Sequence, residues 1–317
     1  MPLLNGVMLP DFPIITAGYG LKTPFGILLP PGGMVAAYVR STGFQDGDDP
    51  AIAGNLCADV NSALARVRSG LGDTVVCLPG HTESVTSATA WSNLKAGTKV
   101  VGVGQGSAMP TFTFNNTAAQ LVLNKADVTI QGLRFQYDGV NTVVLAISVT
   151  GADNAIVDCD HRISQTAKSP TTCIQLGSGG DRFLFAGNNV RGLDSVVAGD
   201  FLLNSAVVTD FRIINNVMIA PCTAASGLVR VAAVASLNCF IAYNHIANTA
   251  AASTACVAFG AAASTGMVND NRFSTLNNGT ASSQGLTMGA GCLIRPNQNF
   301  STDQPVLSGI LNPLPAT

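Results

Sequence analysis

Apolar residues that follow a polar turn recur along this chain at a nearly fixed interval. Phe135, Ile163, Val190, Val217, Ile246, Phe273 and Phe300 are separated by 28, 27, 27, 29, 27 and 27 residues. A fixed period in this range is the signature of a solenoid, and the segments inside the period decide which kind. TVVLAISVTG, TTCIQLGSG, GLVRVAAVAS and ACVAFGAAAS are short, β-branched and bounded by Gly, Ser and Thr, as strands are. A second series half a coil away, Ile147, Ile174, Leu202, Val229, Val257 and Leu286, steps by 27, 28, 27, 28 and 29. Two series with one period predict an all-β chain wound as a right-handed parallel β-helix of 27–28 residues per coil.

The register then assigns faces. Two residues before the first series stand Leu133, His161, Asn188, Asn215, Asn244, Asn271 and Gln298. Asn188, Asn215, Asn244 and Asn271 therefore predict an asparagine ladder, in which stacked amides bond from coil to coil at the spacing of paired strands. In the second series, if Ile147 and its equivalents face inward, the residues one position earlier face outward. Those are Ala146, Cys173, Phe201, Leu228 and Cys256, an apolar row that predicts an interface stripe, whether covered by a partner or by a loop of the same chain.

Upstream the pattern loosens through GDTVVCLPGH, TKVVGVGQGS and DVTIQGLRF, with Val76, Val101 and Val128 about one coil apart. Residues 55–69 carry Leu56, Val60, Leu64 and Val67 at helical spacing and stop at Gly70, which predicts a helix capping the first coil. An uncapped terminal coil would expose core and strand edges. The expected organisation is an extended arm over residues 1–40, a β-helix over 41–300 and a tail over 301–317.

Charged residues make up only 11% of the chain, so Ser, Thr, Asn, Gly and Ala must build the surface. With 16 basic and 18 acidic residues and no single-sign run, neither a nucleic-acid partner nor a polybasic membrane contact is expected. No apolar stretch reaches the length of a membrane span, and the proline-broken N-terminus predicts no secretory leader. The eight cysteines are scattered without metal spacing and read as reduced thiols; no cofactor motif is present.

Two clusters are candidates for chemistry. Asp158 and Asp160, placed on one strand face beside His161 and Arg162 with Lys168 nearby, form the best catalytic candidate, as paired carboxylates serve glycoside cleavage or proton abstraction. Against it, the slots assigned as equivalent hold Ile130, Phe185, Gly132 and Gly187, so no acidic cleft stacks over several coils. Asp46, Asp48 and Asp49 are candidate cation ligands or, more simply, an Asp/Gly turn. His81 and His245 read as surface polar residues, the latter in an outward row with Arg134, Arg162 and Arg272.

The segments FQDGDDP (44–50), DVNSALARV (59–67) and GDTVVCLPG (72–80) resemble the opening of the pectate-lyase-like β-helix superfamily, and particularly its bacteriophage virion members. Those begin with a strand, an Asp/Gly turn, a capping helix and a first coil of this pattern. The resemblance implies the β-helix; its members include lyases, hydrolases, adhesins and structural virion parts. The expectation drawn from it is a non-enzymatic capsid decoration protein. It would be a homotrimer bound to the major capsid protein or other virion proteins, assembled in the host cytoplasm. The alternatives are a tailspike or tail-fibre component that binds or cleaves host glycan, and a polysaccharide lyase or hydrolase.

Overall fold

The computed structural model describes residues 33–45, 50–137, 143–163, 170–192, 199–222, 227–232, 234–250, 255–260, 263–275, 285–287, 291–294, 297–301 and 309–310, with four two-residue strands before residue 32. The chain forms a parallel β-solenoid with almost no helix. Three sheets run along it. The first has eleven strands, from Val35–Val39 to Gly291–Ile294; the second has ten, beginning at Thr82–Val85; the third has seven, from Leu121–Leu123 to Gly285–Thr287. From Lys99 to Thr287 each coil contributes one strand to each sheet in turn, and every step within the coils is parallel. Because Val35–Val39 already pairs with Thr74–Cys77, the last residues of the expected arm belong to the body.

The second apolar series is in register throughout: Leu121, Ile147, Ile174, Leu202, Val229, Val257 and Leu286 are successive partners in the third sheet. The first series is not. The partners in the second sheet are Phe112, Phe135, His161, Val190, Met218, Ile246, Phe273 and Asn299, so Ile163 is displaced by two residues and Val217 and Phe300 by one each. In the first sheet Val76 pairs with Val101 as expected, but the next partner is Gln131 rather than Val128.

A tight turn joins the first sheet to the second in each of six coils. It contains one residue with positive φ: Gly132, Asp158, Gly187, Asn215, Tyr243 or Asp270. Gly, Asn and Asp enter this region at low cost, so five of the six positions suit the turn. The next residue points inward, and this is the ladder slot. It holds Leu133, Cys159, Asn188, Asn216, Asn244 and Asn271, all buried, and Asn297 continues the column. Asn215 is thus corrected to Asn216: Asn215 is the exposed positive-φ residue.

The expected helix is shorter than 55–69. Leu56–Cys57 forms a strand, and the cap is the helix Val60–Leu64, which buries Val60, Ala63 and Leu64 over the first coil. Asp59 starts it by accepting the Ser62 amide at 2.8 Å. Val67 is buried beyond its end. Asp73, with no exposed side-chain area, then locks the cap: it accepts Arg68 Nη2 at 2.6 Å and Nε at 2.9 Å, together with the amides of Arg68 and Met34. Those bonds, Arg68 first, hold its carboxyl below the usual carboxylate range.

Candidate functional site

The candidate acids do not share a strand face. Asp158 lies in the tight turn with φ of 52°, exposed, and accepts Gln131 Nε2 at 3.1 Å. Asp160 opens the next strand and is 6% exposed. A positive-φ turn between them breaks the two-residue alternation on which the pairing rested. The equivalents shift accordingly: Asp158 follows Gly132 and precedes Gly187, while Asp160 stands between Arg134 and Asn189.

Asp160 is saturated by its neighbours. Arg134 from the preceding coil and Arg162 two residues on each donate Nε to Oδ2 at 2.9 Å, and Asn189 from the following coil donates to Oδ1 at 3.2 Å. Arg134 also donates Nη2 to the Gly106 carbonyl. The carboxylate is a fastener across three coils, with both oxygens engaged in charge-assisted or amide bonds. Arg162 therefore leaves the column of Arg134, His245 and Arg272, in which Asp160 takes its place.

His161 points the other way, into the core, with no exposed surface. Its ring packs against Phe135, Tyr137, Phe185 and Phe201 at centroid distances of 5.3–5.9 Å, and Nδ1 shares a 2.7 Å hydrogen bond with the Tyr137 hydroxyl. Burial lowers its pKa to about 3, against a smaller opposing influence of Asp160 and the Asn188 side chain. It is a neutral core ring and does not face the solvent beside the acids.

The expected interface stripe is also inside. Ala146, Cys173, Phe201, Leu228 and Cys256 all have no exposed area and belong to the same apolar cluster as Ile147 and its equivalents. Two consecutive residues face inward here because the chain turns a corner as it enters the third sheet, so strict alternation begins one residue later. Cys256 Sγ lies against the carbonyls of Ile246 and Ser274, within the coil.

Sequence reasoning missed a polar cluster at the cap. His81 is fully buried, Glu83 occupies the inward slot opposite Phe112, and the two meet at 3.2 Å. Nδ1 of His81 accepts the Ser41 amide at 3.0 Å, so the proton facing Glu83 is on Nε2. Glu83 also accepts the Val60 amide at the helix start. This only glutamate of the chain thus ties the first coil to its cap, a role signalled solely by its isolation. Asp200 was missed as well: it is 3% exposed, meets Arg230 at 3.4 Å, and burial raises its pKa.

Beside the cap, an open depression is lined by Ser69, Ser92, Asn93, Lys95 and Lys125, but Lys95 already donates to the Ala65 and Val67 carbonyls. Asp46, Asp48, Asp49 and Lys168 lie outside the described residues. Among the described residues no group of three or more His, Cys, Asp or Glu side chains could share an ion, and no helix is long and apolar enough to cross a membrane. Neither a protein-family model nor a curated protein sequence matches the chain.

Proposed function

We propose that this chain is a structural component of a bacteriophage virion, a β-solenoid that decorates and stabilises the capsid as a homotrimer bound to the major capsid protein. The observation that carries the reading is the Asp160 fastener. The strongest candidate for acid–base chemistry has both oxygens engaged by Arg134, Arg162 and Asn189, which favours a scaffold over a catalyst. The cap-and-coil segments at 44–80 and the charge content of 11% support the same reading. The row at Ala146 is interior and offers such a trimer no contact surface. It draws instead on exposed apolar side chains such as Val144 and Val207, at 67% and 58% exposure.

A tail component that binds glycan is the second reading, and Tyr243 favours it. An aromatic residue with φ of 59° and 55% exposure presents its ring to solvent from a turn that Gly or Asn would fill with less strain. Copy number in purified virions separates the two: hundreds of copies on the shell support decoration, a handful at the tail tip supports the glycan reading. Cleavage of a polysaccharide that is lost in Asp158→Asn overturns both.

A further inference from the structure

The eight cysteines are all free, and seven are buried; Cys292 is the one with partial exposure. In the first sheet Cys239 pairs with Gly266, and Gly266 pairs with Cys292. The two cysteines are therefore two strand steps apart, with a residue lacking a side chain between them. A Cβ placed on Gly266, at φ of 138°, would meet the Cys239 backbone oxygen and nitrogen first and the Cys239 Sγ next, at 2.7 Å, so only glycine fits between the two cysteines. From the other side Cys292 pairs with the same glycine, and the two thiols lie close enough that each shifts the ionisation of the other. Cys292 also donates to the Ser264 carbonyl at 3.4 Å.

The same sheet contains an internal control. Cys57 and Cys77 both pair with Val39, again two steps apart, but there the buried Val39 side chain stands between them. Burial leads the upward shift of both thiols, and neither bonds to the other. At Cys239 and Cys292 the mutual influence of the two thiols leads: it holds Cys292 below the ordinary thiol value and raises Cys239.

Two strand steps separate the Cα atoms by ~9.6 Å, beyond the ~7 Å that a disulfide tolerates. A linear sulfur–metal–sulfur unit, at ~2.3 Å per bond, spans ~4.6 Å and suits side chains converging over a glycine. We propose that Cys239 and Cys292 form a two-coordinate site for a soft, thiophilic cation of the Cu(I) class, seated where Gly266 has no side chain. Thiolate pairs select such ions over hard or octahedral ones. Binding breaks two S–H bonds, forms two metal–sulfur bonds and releases two protons to solvent, with no change of oxidation state.

The test is an anaerobic titration of the full chain with Cu(I) against a coloured Cu(I) chelator. One equivalent per chain is expected to be withdrawn from the chelator, to be absent in Cys239→Ser and in Cys292→Ser, and to persist in Cys77→Ser. Absence of that equivalent in the unmodified chain, or its survival in Cys292→Ser, overturns the site. A Cys239–Cys292 disulfide found by peptide mapping after diamide treatment overturns the geometry on which it rests.

Discussion

The two ends of the solenoid keep their coils in register by different means. Before residue 188 the ladder slot holds Leu133 and Cys159, and the inward column of the second sheet is aromatic. Trp91, Phe112, Phe135 and His161 follow one another at 5.3–6.1 Å, with Phe114 and Tyr137 alongside. From residue 188 on, the inward column thins to Val190, Met218 and Ile246 before Phe273, and order passes to the amides. The Oδ1 atoms of Asn216, Asn244, Asn271 and Asn297 each accept both the backbone amide and Nδ2 of the preceding asparagine. Nδ2 of Asn188, Asn216, Asn244 and Asn271 reaches back to the carbonyls of Ile156, Phe185, Ile213 and Ile241. Each of these four amides thus links three coils.

The difference is one of directionality. Ring packing is large but tolerant of small slides, whereas an amide ladder is satisfied at only one register, because a slip would orphan buried donors. The aromatic half should therefore resist unfolding through volume and the amide half through specificity. The largest expected effect follows from the first. Phe135→Ala removes a fully buried ring that touches Phe112, Phe114 and His161, and should cost about 3–5 kcal/mol, read as a fall in the urea midpoint. Asn216→Ala should cost about 2–4 kcal/mol, since the Asn188 amide loses its acceptor and the Phe185 carbonyl loses a donor inside the coil. Hydrogen exchange after Asn216→Ala should rise most at Asn188 and its neighbours; uniform acceleration along the whole chain would mean that the ladder is not a local lock.

His161 stands at the junction of the two systems and makes it sensitive to acid. Its pKa is about 3 in the folded chain against 6.5 for the ordinary side chain, so below pH 6.5 the unfolded chain binds more protons. Stability from this group is complete above pH 6.5 and declines by up to about 1.4 kcal/mol per pH unit as the pH falls toward 3. Replacing the ring by an aromatic hydrocarbon removes that contribution. The urea midpoint of His161→Phe should fall less between pH 7 and 4.5 than that of the unmodified chain, and parallel curves would refute the assignment.

How far the sequence could be read differs between the same two regions. The third-sheet series was legible in full, because every slot from Ile147 to Leu286 is aliphatic and the coils differ in length by only a residue or two. The second-sheet series failed at two kinds of place: where the inward slot is His161 a search for apolar positions moved on to Ile163, and where Val217 and Met218 are both apolar the pattern could not tell the outward residue from the inward one. That slip matched Asp158 and Asp160 to Ile130 and Gly132 and so concealed Arg134 opposite Asp160. The row at Ala146 was misread for a different reason, since a corner with two adjacent inward residues does not obey the alternation of a flat strand. The Glu83 and His81 cluster depends on a contact between the first coil and a helix more than twenty residues earlier, which no periodic pattern encodes.

The smallest expected effect is the sharpest test of the ladder, because Asn215 and Asn216 are adjacent and chemically identical. Asn215 is exposed with φ of 56°, and its side chain has no place in the column. Asn215→Ala should cost only about 1 kcal/mol, the strain of a Cβ in the left-handed region without a local polar partner. Asn215→Gly relieves that strain and should leave the urea midpoint nearly unchanged. Asn216→Gly, by contrast, should be no milder than Asn216→Ala, because its cost arises from orphaned amides and not from backbone strain. If glycine were tolerated at 216 and not at 215, the ladder would have to be moved back by one residue. The inward and outward faces of the neighbouring strand would then exchange, and with them the burial of Met218 and the exposure of Val217.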